Sequence, residues 1–138
     1  MEIYDARPLL NARTNKLKGG GYEDCGPSAA YSNCRITFGD IDNIHVVRES
    51  FEKVHDTAYM VSNNEKSVAQ NWHQTLDSSG YRQVLMRILS CTNLMLKAMT
   101  VNQSNILVHC SDGWDRTAQL TSLAQLLLDP YYRTFEGF

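Results

Sequence analysis

The stretch NILVHCSDGWDRTAQLTSLAQLLLD, Asn105 to Asp129, changes character twice. Asn105 to His109 is a brief apolar run rich in β-branched residues and reads as a buried strand. From Thr117 onward, Leu120, Leu123, Ala124 and Leu127 recur at helical spacing, until Asp129 and Pro130 end that helix and open another. Between strand and helix lies a polar loop, Cys110 to Arg116. In open α/β sheets this order puts a site beyond the carboxyl end of a strand and at the start of a helix. The expectation is an α/β fold, a central sheet flanked by helices, with the strand ending at His109 inside the sheet.

The loop places a cysteine and an arginine five residues apart. Such a loop can curl until its N–H groups converge into a nest for an anion. The helix adds its positive dipole end, and Arg116 supplies a planar fork that matches two phosphate oxygens. Donors that hold phosphate also hold a thiolate, so Cys110 becomes a candidate nucleophile with a depressed pKa. Asp112 and Asp115 work against that depression unless they point away or carry a proton. His109 can order the cysteine backbone, and the Thr117 hydroxyl can stabilise sulfur as a leaving group. Small Ser111 and Gly113 allow close backbone approach. The plain alternative makes Cys110 a core residue and Arg116 a surface one.

Upstream, NARTNKLKGGGYEDCGPSAAYSN reads as a long loop punctuated by glycine and proline. CRITFGDI reads as a short strand with Ile36 and Phe38 alternating, and DNIHVVRESFEKVHD as a helix capped by Asp42 or Asn43. Ile44, Val47, Phe51 and Val54 form its expected apolar face. NNEKSVAQNWHQTLDSSG suggests a further helix. YRQVLMRILSCTNLMLKAM is the strongest: Val84, Ile88, Cys91, Met95 and Ala98 line one face, and Leu85, Leu89 and Leu96 widen it, so that it is expected to be largely buried. Arg7, Arg13, Lys16 and Lys18 form a basic stretch, either a solvated loop or a surface for anionic lipid.

The chain has 138 residues, 43% hydrophobic and 20% charged, which suits one packed domain. A net charge of −2 gives no global attraction to nucleic acid, so anion binding has to be local. The first residues lack the pattern of a signal peptide and no apolar run reaches a membrane span, which points to the cytosol. None of Cys25, Cys34, Cys91 and Cys110 forms a C-x-x-C pair, so a zinc site is not expected. Spacing alone allows a Cys25–Cys34 disulfide, which a reducing compartment disfavours.

VHCSDGWDRTAQLTSL resembles the active-site signature of the myotubularins, a branch of the cysteine-dependent protein tyrosine phosphatase superfamily. YDARPLLNARTNKLKGGGYE, DIDNIHVVRES and LLLDPYYRTFEGF resemble the family's surrounding segments. The resemblance implies a protein tyrosine phosphatase-like fold with a strand, phosphate loop and helix at its active site. It implies removal of the 3-phosphate from phosphatidylinositol 3-phosphate and phosphatidylinositol 3,5-bisphosphate, without metal or cofactor. By the same resemblance Cys110 is the nucleophile and Arg116 the phosphate clamp. Ser111, Asp112, Gly113 and Trp114 line the pocket with Asp115, while Asn15, Asn43 and Ile44 contact the headgroup. Read from the residues alone, Asn15 is equally a turn residue and Asn43 a helix cap.

No Trp-Pro-Asp stretch supplies the separate acid loop of protein-directed relatives. The acid is therefore expected within the signature, Asp115 first and Asp112 second. Family members are longer, so residues 1–138 are expected to be one phosphatase domain incomplete at both ends. Partners implied are a phosphoinositide headgroup, a peripheral membrane surface, and homo- or hetero-oligomers with family members. The location implied is cytoplasmic, at endosomal or other phosphoinositide-bearing membranes. The rival readings are a phosphotyrosine or dual-specificity phosphatase and a non-catalytic lipid-binding or scaffolding segment.

Overall fold

The computed structural model describes residues 1–17, 19–63 and 71–138. Its contacts divide into two units, residues 1–41 with 87–138, and residues 42–86. The first is built on three parallel strands, β1 (Glu2–Asp5), β2 (Arg35–Phe38) and β3 (Ile106–His109), in the order β2-β1-β3. Glu2 pairs with Arg35 on one side and Ile106 on the other, and Asp5 with Phe38 and His109. The expected placement of the His109 strand is thereby corrected. β1 is the central strand, whereas β3 flanks it with Leu107 42% exposed.

β1 is buried throughout although its sequence, EIYD, carries two carboxylates. Each is matched. Glu2 accepts from the Arg35 guanidinium at 2.9 Å and from the Tyr4 hydroxyl at 3.1 Å. Asp5, fully buried, is bound by Arg7. Buried charges persist only when paired in this way. Beyond the strands the ladder continues, with Ala6 N–H donating to the His109 carbonyl at 2.8 Å and Ile41 N–H to the Ala6 carbonyl at 3.0 Å. Gly39 sits in a tight place there: a Cβ would lie 3.2 Å from the Ala6 backbone and 3.1 Å from the Cys91 sulfur, so its neighbours would have to give.

The segment read as one long loop contains a helix, α1 (Leu9–Lys16), which buries only Ala12. With so narrow an inward face it leaves no 3.6-residue pattern to read. In the second unit α2 (Ile44–Ser62) begins at Asn43, whose side-chain oxygen accepts from His45 and Val46 N–H at 2.9 and 3.2 Å. Asn43 rather than Asp42 is thus the cap. The expected apolar face of α2 is only partly its inward one: Val47 and Val54 are half-buried beside the buried Ser50 and Thr57, whereas Ile44 and Phe51 are 42% and 50% exposed. Phe51 packs instead against the Tyr81 ring, 5.6 Å away. α3 (Trp72–Ser78) follows, and the start of the helix expected there lies outside the described residues.

α4 (Tyr81–Thr100) carries the buried side chains Val84, Cys91, Met95 and Ala98 as expected, with Ile88 partly buried. The expectation that this helix is largely buried holds only on one face: Leu85 is 43% and Leu89 57% exposed. α5 (Arg116–Leu128) turns Leu120 and Ala124 inward and leaves Leu127 49% exposed, followed by a 3-10 turn, Pro130–Arg133. In the first unit the core joins Tyr4, Ala6 and Ile41 to Cys91, Met95 and Ala98 of α4, to Leu120 and Ala124 of α5, and to Cys110. Among the described residues no helix is long and apolar enough to cross a membrane.

Candidate active site

β3 ends at His109 and α5 starts at Arg116, so the signature forms the whole turn between them. Cys110 is 7% exposed, and its sulfur accepts from the Gly113 N–H at 3.3 Å. Burial pushes this thiol up. The Thr117 hydroxyl and the Thr117, Gly113 and Asp112 amides outweigh burial and bring it from 9.0 down to about 7. The Thr117 hydroxyl approaches the sulfur only loosely, since within full hydrogen-bond geometry it has no partner among the described residues. Cys91 shows the contrast: burial without such donors pushes it up to about 11. All four cysteines are free thiols.

Gly113 has φ +88°, a left-handed conformation that opens the loop so its amide can turn to the sulfur. Space is not the reason for glycine, because a Cβ there would meet nothing within 4 Å. Arg116 is 8% exposed. Its Nη2 donates to Ser111 Oγ at 3.0 Å and its Nη1 to the Ile41 carbonyl at 3.4 Å, while its buried Nε has no partner. A buried guanidinium with an unpartnered Nε, beside a second orphaned donor at Thr117, has hydrogen-bonding capacity left for an anion.

A cleft of about 630 Å³ opens over this loop. It is lined by His109, Cys110, Ser111 and Asp112 together with Asn15, Gly20, Gly21, Tyr22, Glu23, Arg7 and Tyr31. Asn15 is therefore brought to the same cleft as Cys110. Trp114 is 75% exposed, and Asp115 precedes α5 without capping it through its side chain. Asp112 is on the cleft wall and Asp115 is not. Asn43 caps α2 and Ile44 is that helix's exposed first residue.

The basic stretch is not a set of free cations. Arg7 is buried, donating to both Asp5 oxygens, at 2.9 Å from Nε and 2.6 Å from Nη2, and to the Gly21 carbonyl at 2.7 Å. Those hydrogen bonds to Asp5 raise its pKa above the ordinary arginine value. Lys16 lies over the Tyr22 ring, 5.7 Å from its centre. Arg13 is exposed, and Lys18 lies outside the described residues. His109 contacts the Cys110 carbonyl through Nδ1 at 3.2 Å and, through Nε2, Glu23 Oε2 at 3.0 Å. Glu23 and the Asp5–Arg7 pair were invisible in the sequence: Glu23 stands 86 residues from its partner, with no periodicity linking them. Among the described residues no group of His, Cys, Asp and Glu is arranged to hold a metal.

A parallel α/β sheet that delivers a thiol into a loop closed by a buried arginine defines a class of anion-binding site. The chain belongs to the myotubularin-like phosphatase domain family, whose model matches residues 1–138. It is 47% identical over 138 residues to the myotubularin of Xenopus laevis, covering 100% of this chain and 22% of that protein. It is 43% identical over 139 residues to the human phosphatidylinositol-3,5-bisphosphate 3-phosphatase MTMR6, covering 100% and 21%. The mouse phosphatidylinositol-3,5-bisphosphate 3-phosphatase MTMR2 is 45% identical over 136 residues, covering 99% and 20%. The chain thus spans about a fifth of the length of these relatives.

Proposed function

We propose that this chain carries the catalytic segment of a phosphoinositide 3-phosphatase with a protein tyrosine phosphatase-like active-site unit. Its substrates are phosphatidylinositol 3-phosphate and phosphatidylinositol 3,5-bisphosphate. The observation that carries the reading is the buried Arg116, its Nε without a partner, in the same loop as a thiol whose pKa is lowered to about 7. The relatives named for 3-phosphatase activity supply the substrate class.

In this mechanism the Cys110 thiolate attacks phosphorus in line and the P–O bond to the inositol ring breaks. The phosphoryl group is left on sulfur and the ring oxygen takes a proton from Asp115. Arg116 Nε and the loop amides hold the phosphoryl oxygens through the transition state. Water then attacks phosphorus, releasing inorganic phosphate and the thiolate, to which the Thr117 hydroxyl donates. Asp112 is the alternative acid, favoured by its place on the cleft wall. Asn15, which lines the same cleft, meets the headgroup, and Ser111, Gly113 and Trp114 complete the pocket. The protein works in the cytoplasm at the surface of endosomal or other phosphoinositide-bearing membranes, in homo- or hetero-oligomers with family members.

The test is phosphate release from short-chain phosphatidylinositol 3-phosphate and from a phosphotyrosine peptide by the full chain. Release from the lipid that disappears in Cys110→Ser supports the proposal. Preference for the peptide refutes the substrate assignment, and turnover retained by Cys110→Ser refutes the covalent mechanism.

A further inference from the structure

The ring of His109 is held between two oxygens. Nδ1 is 3.2 Å from the Cys110 carbonyl and Nε2 is 3.0 Å from Glu23 Oε2. Neither oxygen has a proton to give, so each contact is a hydrogen bond only when the nitrogen facing it carries the proton; the carboxylate of Glu23 accepts from a protonated Nε2. Both side chains are largely shielded, with 25% and 22% exposure, so the contact is not a solvated surface pair. Glu23 follows the glycine stretch, which Arg7 also holds by donating to the Gly21 carbonyl. This stretch of the cleft lining is thereby fastened to the carboxyl ends of β1 and β3 at two points.

We propose that Glu23 positions His109, and through it the backbone at Cys110, so that one hydrogen-bonded chain sets both the glycine wall and the nucleophile loop. The proposal rests on the reading of Cys110 as nucleophile and adds a residue outside the signature to its machinery. Without Glu23 the imidazole keeps only its contact with the Cys110 carbonyl and loses the anchor that fixes its ring. The Gly113, Asp112 and Thr117 amides, which hold the thiolate, are then aimed less well.

The experiment follows Cys110 itself. The full chain is treated with iodoacetamide at pH 6.5, and modification of the Cys110 peptide is measured by mass spectrometry against that of Cys34. Glu23→Ala is expected to slow Cys110 alkylation about threefold, the scale of one modest hydrogen bond. Glu23→Gln restores it, because a carboxamide oxygen accepts the same bond. Glu23→Asp, a methylene too short, behaves like alanine even if the alanine variant fails to fold. Glu23→Ala combined with His109→Ala is no slower than His109→Ala alone, since the residues act in series. An unchanged rate in Glu23→Ala or Glu23→Asp, or additive losses in the pair, overturns the proposal. Lipid turnover by the unsubstituted chain is measured in parallel. Its absence beside the expected alkylation pattern refutes the lipid phosphatase reading and leaves the role of Glu23 standing.

Discussion

Replacing Arg7 with methionine should cost far more stability than the loss of one ion pair suggests. Arg7 makes two short contacts to Asp5 and one to the Gly21 carbonyl, and the pair is 5% and 0% exposed at its side chains. Methionine fills the volume but leaves the Asp5 carboxylate inside the protein without a partner. Breaking a buried pair in this way costs roughly 3–5 kcal/mol, a large share of the roughly 5–15 kcal/mol that holds a domain folded. With a urea slope of about 2 kcal/mol per molar, the midpoint should fall by about 2 M. Lys53→Ala provides the scale. It removes the exposed Lys53–Glu49 pair on α2, 53% and 69% exposed, worth about 0.3–0.5 kcal/mol. Adding Asp5→Asn to Arg7→Met should recover much of the loss, because the stranded charge is gone. The assay is urea unfolding of the full chain by fluorescence. An Arg7→Met midpoint no lower than that of Lys53→Ala refutes the reasoning.

The remaining expectations concern the loop. Alkylation of Cys110 should rise as pH passes about 7, where a free thiol rises near 8.5. Because its folded value is the lower one, its contribution to stability is present above the unfolded value and lost as pH falls through about 7; a pH series of unfolding curves checks the sign. Asp115→Asn should slow inositol lipid hydrolysis by roughly 10²–10⁴-fold, yet spare a nitrophenyl phosphate whose leaving oxygen needs no proton; equal losses on both substrates make Asp115 structural. Asp112→Asn should act mainly through KM, and a kcat loss confined to the lipid would transfer the acid role to it. Gly113→Ala should cost about 1–2 kcal/mol through its backbone alone, since the space is open, and thermal melting tests this.

What the sequence disclosed followed periodicity and local chemistry. The inward face of α4 and the start of α5 beside Cys110 were legible because helical spacing and a short polar loop repeat their information locally. β1 left no such trace. Buried at every position, it could not alternate, and its two carboxylates disguised a central strand as surface. The exposed flanks of α2 and α4 misled in the opposite direction, since apolar residues there satisfy the pattern without being covered. Arg7 was misread as a free cation because its partner, Asp5, reveals itself only when the chain turns back on itself at the strand end.

The pairing of β1 with β3 joins Glu2 to Ile106, about a hundred positions along the chain, whereas β1 meets β2 after about 33. Loop-closure entropy makes the longer search dearer by only about 1 kcal/mol. Time is the greater difficulty. At about 5–20 residues per second of synthesis, β1 waits roughly 5–20 s for its second neighbour. During that wait Ile3 and one bare edge of the central strand are open to other nascent chains. The Cys110–Arg116 loop leaves the later strand, so its conformation is set only after this non-local step. Conditions that slow translation across residues 40–105 should therefore lower the yield of reactive Cys110 while leaving already folded protein untouched.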